Sequence, residues 1–382
     1  MGKLGIRLSQ YWSTIQESLF PFLEEKLDPL SEKQRQLVVI LELVRIEQFI
    51  PDYRFLEGRP RKNRCAIARA FVVKSVYNMD STRALVERLR FDISLRRICG
   101  WESKRSIPSE ATFSRAFLEF SQRGLPQQVH EALIQKEIGQ TETLVIHNSR
   151  DSTAIEAREK PIAKPKKQKK PSRKRGRPGK GDAKNVKEPS RVERQQTMSL
   201  EEMLEDLPNS CDIGTKKNSK GHAEHWIGYK LHLDVSDGGI PISAILTSAS
   251  VHDSQVAIPL ATMTAKRVVN LYDLMDAAYD TPGILEHSRS LGHVPLVDKN
   301  PRRNKALAAE LKEEDRRQKL INFVPPEKIR YRERTTVERS NGRLKDEFGC
   351  RMVRVRGGVK VMCHLMFAVL ALAADQLMRL VT

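Results

Sequence analysis

The sequence predicts an α/β protein, a mixed-sheet domain preceded by an all-α region. Three observations carry that reading. Up to about residue 137 the apolar residues recur at helical spacing. From Thr143 onward the pattern turns to alternation, in three strand-like runs with a tight turn between the second and third. Beyond residue 253 helical and strand-like segments take turns.

In the first region Ser31 followed by Gln34 is a capping-box pattern. It opens a helical run that Pro51 stops. Further helices are expected over 66–77 and 81–90. Ser109 is expected to cap a helix on which Phe113, Phe117 and Phe120 share one face. Arg83, Arg88, Arg90, Arg96 and Arg97 lie between and along these helices, an arrangement that suits a helix-turn-helix reader of DNA and equally a small helical bundle.

The strand-like runs are 143–151, 225–235 and 241–251, with Ser236-Asp237-Gly238-Gly239 as a hairpin turn. A helix over 254–265, with Asp253 as its cap, leads to a strand ending near Asp276. A helix over 282–290, a strand over 293–300, helices over 304–319 and 334–345 and an apolar C-terminal helix follow. Three strands in hairpin order, then alternating helices and strands, is a ribonuclease H-like order.

Charge narrows the function. The 382 residues hold 67 Lys and Arg against 48 Asp and Glu, a net charge of +19. That balance suits a polyanionic partner, nucleic acid first. No membrane partner is expected: the first residues lack a secretory h-region, and the most apolar stretch, 361–374, is shorter than the roughly 20 residues a bilayer needs. Five cysteines, widely spaced and never in a C-x-x-C pair, support neither a zinc ribbon nor a disulfide framework, and a reducing cytoplasm fits. His222 and His225 lack a cysteine or third histidine nearby, so zinc is not expected there.

Residues 160–187 hold thirteen Lys or Arg and one acid, Asp182. With four prolines and few apolar side chains, this segment is expected to be disordered when free, as the centre of a basic insert at about 158–222. Within it Arg175-Gly176-Arg177-Pro178 resembles an AT-hook core, in which two arginines enter a narrow A·T minor groove. A nonspecific phosphate-binding linker reads the same residues more simply.

The chemistry rests on carboxylates. Two-metal phosphodiester chemistry needs hard oxygen ligands close together, and strand ends supply them. Asp151 closes the first strand-like run and Asp276 the fourth, with Asp273 and Asp280 competing for the second role. A third carboxylate should come from a helix crossing that edge. Glu338 is the candidate and Glu333 its competitor. At helical spacing Tyr331, Arg334, Glu338 and Lys345 share a face. Trp226 would suit a base flipped from DNA, although a tryptophan in an apolar strand is more often core.

The pattern Y-x2-R-x3-E-x6-K, filled by Tyr331, Arg334, Glu338 and Lys345, resembles the signature of bacterial insertion-sequence DDE transposases. WIGYKLHLDV, ASVHDS, DAAYD and FGCRMVRVRGGVKVMCHL match the surrounding text, and residues 64–121 are similar to the helical DNA-binding domain of these enzymes. The resemblance implies a helical DNA-binding domain at 1–137 and a ribonuclease H-like catalytic domain at 138–382. It further implies that Asp151, Asp276 and Glu338 bind two Mg2+ ions, with Mn2+ as substitute, and that Tyr331, Arg334 and Lys345 contact DNA phosphates. Element ends, target DNA and a second copy in a homodimer are the implied partners, in the cytoplasm at the nucleoid. The alternatives are a non-catalytic DNA-binding remnant and a nuclease without strand transfer.

Overall fold

A computed structural model describes residues 3–27, 29–53, 60–140, 144–163, 189–217, 221–299, 301–302 and 304–381. Every element among the described residues up to 140 is helical: α1 (Lys3–Thr14), α2 (Phe20–Leu27), α3 (Glu32–Val44), α4 (Arg64–Val76), α5 (Thr82–Phe91), α6 (Ile93–Cys99), α7 (Glu110–Arg123) and α8 (Leu125–Ile134). The Ser31–Gln34 capping box forms in both directions. Helix α3 ends at Val44, earlier than Pro51 implied, because Arg45 turns left-handed at the C-cap. Ser109 occupies the N-cap of α7, but its hydroxyl pairs with Thr112 and caps no backbone N–H. Phe113 and Phe120 are buried against Phe71 as expected of that face.

Strand β1 (Val145–Glu156) runs five residues past the expected end. The stretch expected to be a disordered insert as far as 222 contains ordered elements. Helices α9 (Arg191–Gln195) and α10 (Leu200–Asp206) and strand β2 (Asp212–Lys217) lie within it. Both helices open with full capping boxes, Ser190 with Glu193 and Ser199 with Glu202, local signals that the basic composition upstream masked. Arg175 and Arg177 lie outside the described residues.

Strands β3 (Ala223–Ser236) and β4 (Pro241–Ser248) form the expected hairpin, its turn closed by Gly239 N–H to Ser236 O, with Gly239 at φ +72. Then come α11 (Ala257–Ala265), β5 (Asn270–Met275), α12 (Pro282–Ser290), β6 (Val294–Val297), α13 (Lys305–Leu320), α14 (Pro326–Tyr331), α15 (Thr335–Asp346) and α16 (Gly358–Arg379). Asp253 does not cap α11. It opens a separate 3-10 turn whose N-cap is His252, the ring Nδ1 accepting from Ser254 N–H.

The sheet is mixed. Its order is β2-β3-β1-β5-β6, with β4 also paired to β3. β1, β5 and β6 are parallel, and β3 is antiparallel to β1, β2 and β4. The long β3 carries β2 along its first half and β4 along its second. All eight residues of β4 are buried, so both of its faces are covered.

Helix α15 packs over β1 and β3 on one face, and α11 over β3 and β4. α16 lies against β4, α3, α4, α7 and α8, so the helical region and the sheet share one apolar core. At 22 residues it exceeds the expected length, and among the described residues it is the one helix long and apolar enough to cross a membrane. Yet 89% of its most apolar window is buried inside the protein, which makes it a core helix.

Candidate functional site

The parallel pair β1–β5 aligns Asn148 with Asp273 and Ser149 with Leu274. Asp151 and Asp276 each lie two residues beyond the last of these pairs, Asp276 in the turn that follows the carboxyl end of β5. Ligand sites on such sheets gather at this edge. Side chains alternate across a strand, so Asp151 shares the face of Ser149, whose hydroxyl donates to Glu333 O just ahead of α15. Asn341 on α15 donates to Asp151 Oδ2 at 3.4 Å.

Glu338 sits in the first turn of α15, half exposed, and accepts from Arg334 Nη2 at 2.8 Å. The other terminal nitrogen of Arg334, Nη1, is buried without a hydrogen bond and lies 3.9 Å from Asp151 Oδ1. One guanidinium thus stands between two of the candidate carboxylates. Tyr331 donates to Asp298 Oδ2 at 2.9 Å, and Arg334 lies over the Tyr331 ring at 5.9 Å. The stripe from Tyr331 to Lys345 is not one α-helix: α14 ends at Tyr331 and a 3-10 turn, Arg332–Arg334, precedes α15. Lys345 sits at the far end of α15, half-buried, its pKa lowered by burial and by the nearby charges of Lys216 and Arg351.

Burial pushes the Asp151 carboxyl up to about 6, aided by the charges of Asp276 and Asp253 and opposed by the Ser152 backbone N–H and Arg334. Burial likewise raises Asp276, whose Oδ1 accepts from Ala278 N–H. Asp273, the competitor, is fully buried and taken up by Ser288, His293, Asn148 and Asn270. Burial alone would raise its pKa, but these bonds and the Arg150 charge hold it well below the usual carboxylate range. It is a structural acid. Glu333 is exposed and contributes its backbone carbonyl.

Asp151 and Asp276, two mutually repelling carboxylates, together with Glu338 fit a divalent cation in donor type and charge, although the Arg334 guanidinium stands between Asp151 and Glu338. Among the described residues no three His, Cys, Asp or Glu side chains already stand at metal-ligand geometry, and Glu338 is engaged by Arg334. Asp151, Asp276 and Glu338 are the residues that could hold the ion.

Sequence reasoning missed Asn341, Asp298 and Asp253. Asn341 lies three residues after Glu338, so helical spacing alone could have placed it on the same face. Asp298 and Asp253 become visible only through tertiary contacts. Of the arginines whose arrangement suits a DNA reader and a plain helical bundle equally, Arg96 is buried, Arg88 pairs with Asp92 and Arg97 with Glu102. Trp226 is 9% exposed and donates to Tyr229 O, which makes it a core residue. His225 pairs with Thr215, and the pair His222–His225 forms no metal group among the described residues.

A family model described as Transposase DDE domain matches residues 149–374, more than half of the chain. A second, Transposase domain (DUF772), matches residues 23–118. The chain belongs to the DDE transposase family of insertion sequences. Members are nucleic-acid-processing enzymes that bind DNA and generally use divalent metal ions. No curated protein and no solved structure matches the chain.

Proposed function

We propose that the chain is a DNA transposase that cuts the ends of its element and joins the freed 3′-hydroxyls to target DNA, with Asp151, Asp276 and Glu338 as its catalytic carboxylates. The observation that carries this is the Ser149–Leu274 pairing of parallel β1 and β5, two residues ahead of Asp151 and Asp276, with the Glu338 helix packed over β1 and β3. The strand order β4-β3-β1-β5-β6, with β3 the antiparallel member, supports a ribonuclease H-like catalytic domain over 138–382. The helices before residue 137, a region that includes the second family match, are read as its DNA-binding domain.

Bound Mg2+, or Mn2+ in its place, would supply two-metal activation of the attacking oxygen and charge stabilisation of the leaving one. The chain's own residues do the rest. Asp151 and Asp276 would hold the cation from the sheet side, and Glu338 would complete its oxygen ligands from α15. Arg334, Tyr331 and Lys345 hold phosphates of the transferred strand. Water attacks in line at the element end, a phosphorus–oxygen bond breaks, and the leaving 3′-oxygen takes a proton. That hydroxyl then attacks target DNA, exchanging one phosphodiester for another. Joining two ends calls for a dimer on DNA.

The test is cleavage of a labelled duplex carrying the gene's own flanking ends, in Mg2+ or Mn2+, by wild type, Asp276→Ala and Glu338→Ala. Metal-dependent nicking that both substitutions abolish while end binding persists is expected. Tight end binding without cleavage would identify a DNA-binding remnant, and cleavage without joined product a nuclease.

A further inference from the structure

A fourth carboxylate, Asp253, lies beside the residue that follows Asp151. Asp253 follows β4, and Lys230 Nζ on β3 donates to its Oδ1 at 2.9 Å and to Val251 O at 2.9 Å. Ser152, the residue directly after Asp151, gives Asp253 a side-chain hydrogen bond. The Asp253 charge reaches both Asp151 and Asp276.

Two buried polar groups lie within electrostatic reach of Asp253. Tyr279 is 1% exposed, its hydroxyl makes no hydrogen bond, and it lies within electrostatic reach of Asp253, Asp151 and Asp276. His232 is fully buried, with Nε2 bonded to Thr247 and Nδ1 without a hydrogen bond 3.9 Å from Asp253. Burial holds this ring down to about 4, so it adds no charge at neutral pH.

We propose that the charges of the Lys230–Asp253 pair set the cation affinity of the Asp151–Asp276 cleft. The inference rests on the metal-dependent reading above. As a unit the pair is neutral. Removing Asp253's charge leaves Lys230 to repel a cation, and removing Lys230's charge leaves Asp253 to attract one. The two substitutions therefore move cation affinity in opposite directions. A pair that merely packed the loop against β3 would move it the same way in both.

The experiment is Mn2+ titration of the full-length, DNA-free protein by calorimetry at pH 8, with far-UV circular dichroism of each variant. Asp253→Asn should weaken Mn2+ binding about tenfold, the scale on which charges around a metal site act. Lys230→Met should tighten it several-fold by the same electrostatics. If Lys230→Met binds Mn2+ more weakly than wild type, or if neither variant moves, the pair has no such role. Lys230→Met alone decides the matter should Asp253→Asn not fold. Asp276→Ala, run in the same series, should lose the site. Wild type that takes up no Mn2+ would overturn the metal-dependent reading and this inference together, whereas wild-type binding without opposite shifts overturns this inference alone.

Discussion

Arg150 and Asp234 face each other through two hydrogen bonds of 2.8 Å, with both side chains removed from solvent. Arg150 points to the opposite face of β1 from its neighbour Asp151. Asn148 and Thr264 also donate to Asp234, so the clamp ties β1, β3 and α11 together one residue from the candidate site. Breaking a buried pair from one side leaves an uncompensated charge, a cost of about 3–5 kcal/mol. Arg150→Met should therefore lower stability by that order in urea unfolding. Adding Asp234→Leu should restore part of the loss. Additive losses in the double variant would show that the two side chains do not act as a pair.

The raised pKa of Asp151 has a sign that stability measurements can read. A folded pKa of about 6 lies above the free aspartate value of 3.8, so between about pH 4 and 6 the folded state holds a proton the unfolded state has released. Stability from this group is present at low pH and falls as pH rises through that window. Metal-free Asp151→Asn should accordingly be more stable than wild type at pH 7 to 8, by about 1–2 kcal/mol, and no more stable near pH 4. Equal stability of the two proteins at both pH values would contradict the assigned shift.

Gly214 is paired with Trp226 across β2 and β3, and a Cβ at that position would come 2.3 Å from the indole ring. Gly214→Ala should push the ring from its buried seat at a cost of about 1–3 kcal/mol. A red-shifted Trp226 emission should accompany it, measured with Trp12 and Trp101 replaced. Unchanged emission and melting would mean the strand pair yields without cost.

Residues 164–187 carry twelve Lys or Arg and one acid. Each phosphate contact they make steepens the salt dependence of DNA binding by about 0.9 in the log–log slope. Deleting the segment should flatten that slope by several units on any duplex. A deletion that instead spares mixed-sequence DNA and weakens only A·T-rich DNA would assign Arg175 and Arg177 to the minor groove.

Much of this architecture could be read in the chain because the informative signals are local. Ser31 with Gln34 and the Ser236–Gly239 turn each act within a few residues, and each forms as expected. The candidate carboxylates Asp151 and Asp276 follow from strand ends, and the spacing of the family signature selects Glu338 over Glu333. What escaped is non-local or diluted. β2 finds its partner only along an unusually long β3, and its six residues carry no alternation strong enough to stand out beside a basic tract. Asp253 looked like a cap since an aspartate before a helix commonly is one. Its bond to Lys230, on a strand more than twenty residues earlier, decides otherwise.

Helix α16 closes the core of helices that precede it by more than 200 residues. During synthesis α3, α4, α7 and α8 leave the ribosome with their shared apolar face uncovered, and β4 waits beside them for the same partner. The long delay between these halves of one core makes the nascent chain a client for holding chaperones. A chain broken anywhere before residue 358 would keep that face open. Such fragments should be cleared or aggregate rather than survive as competitors for DNA.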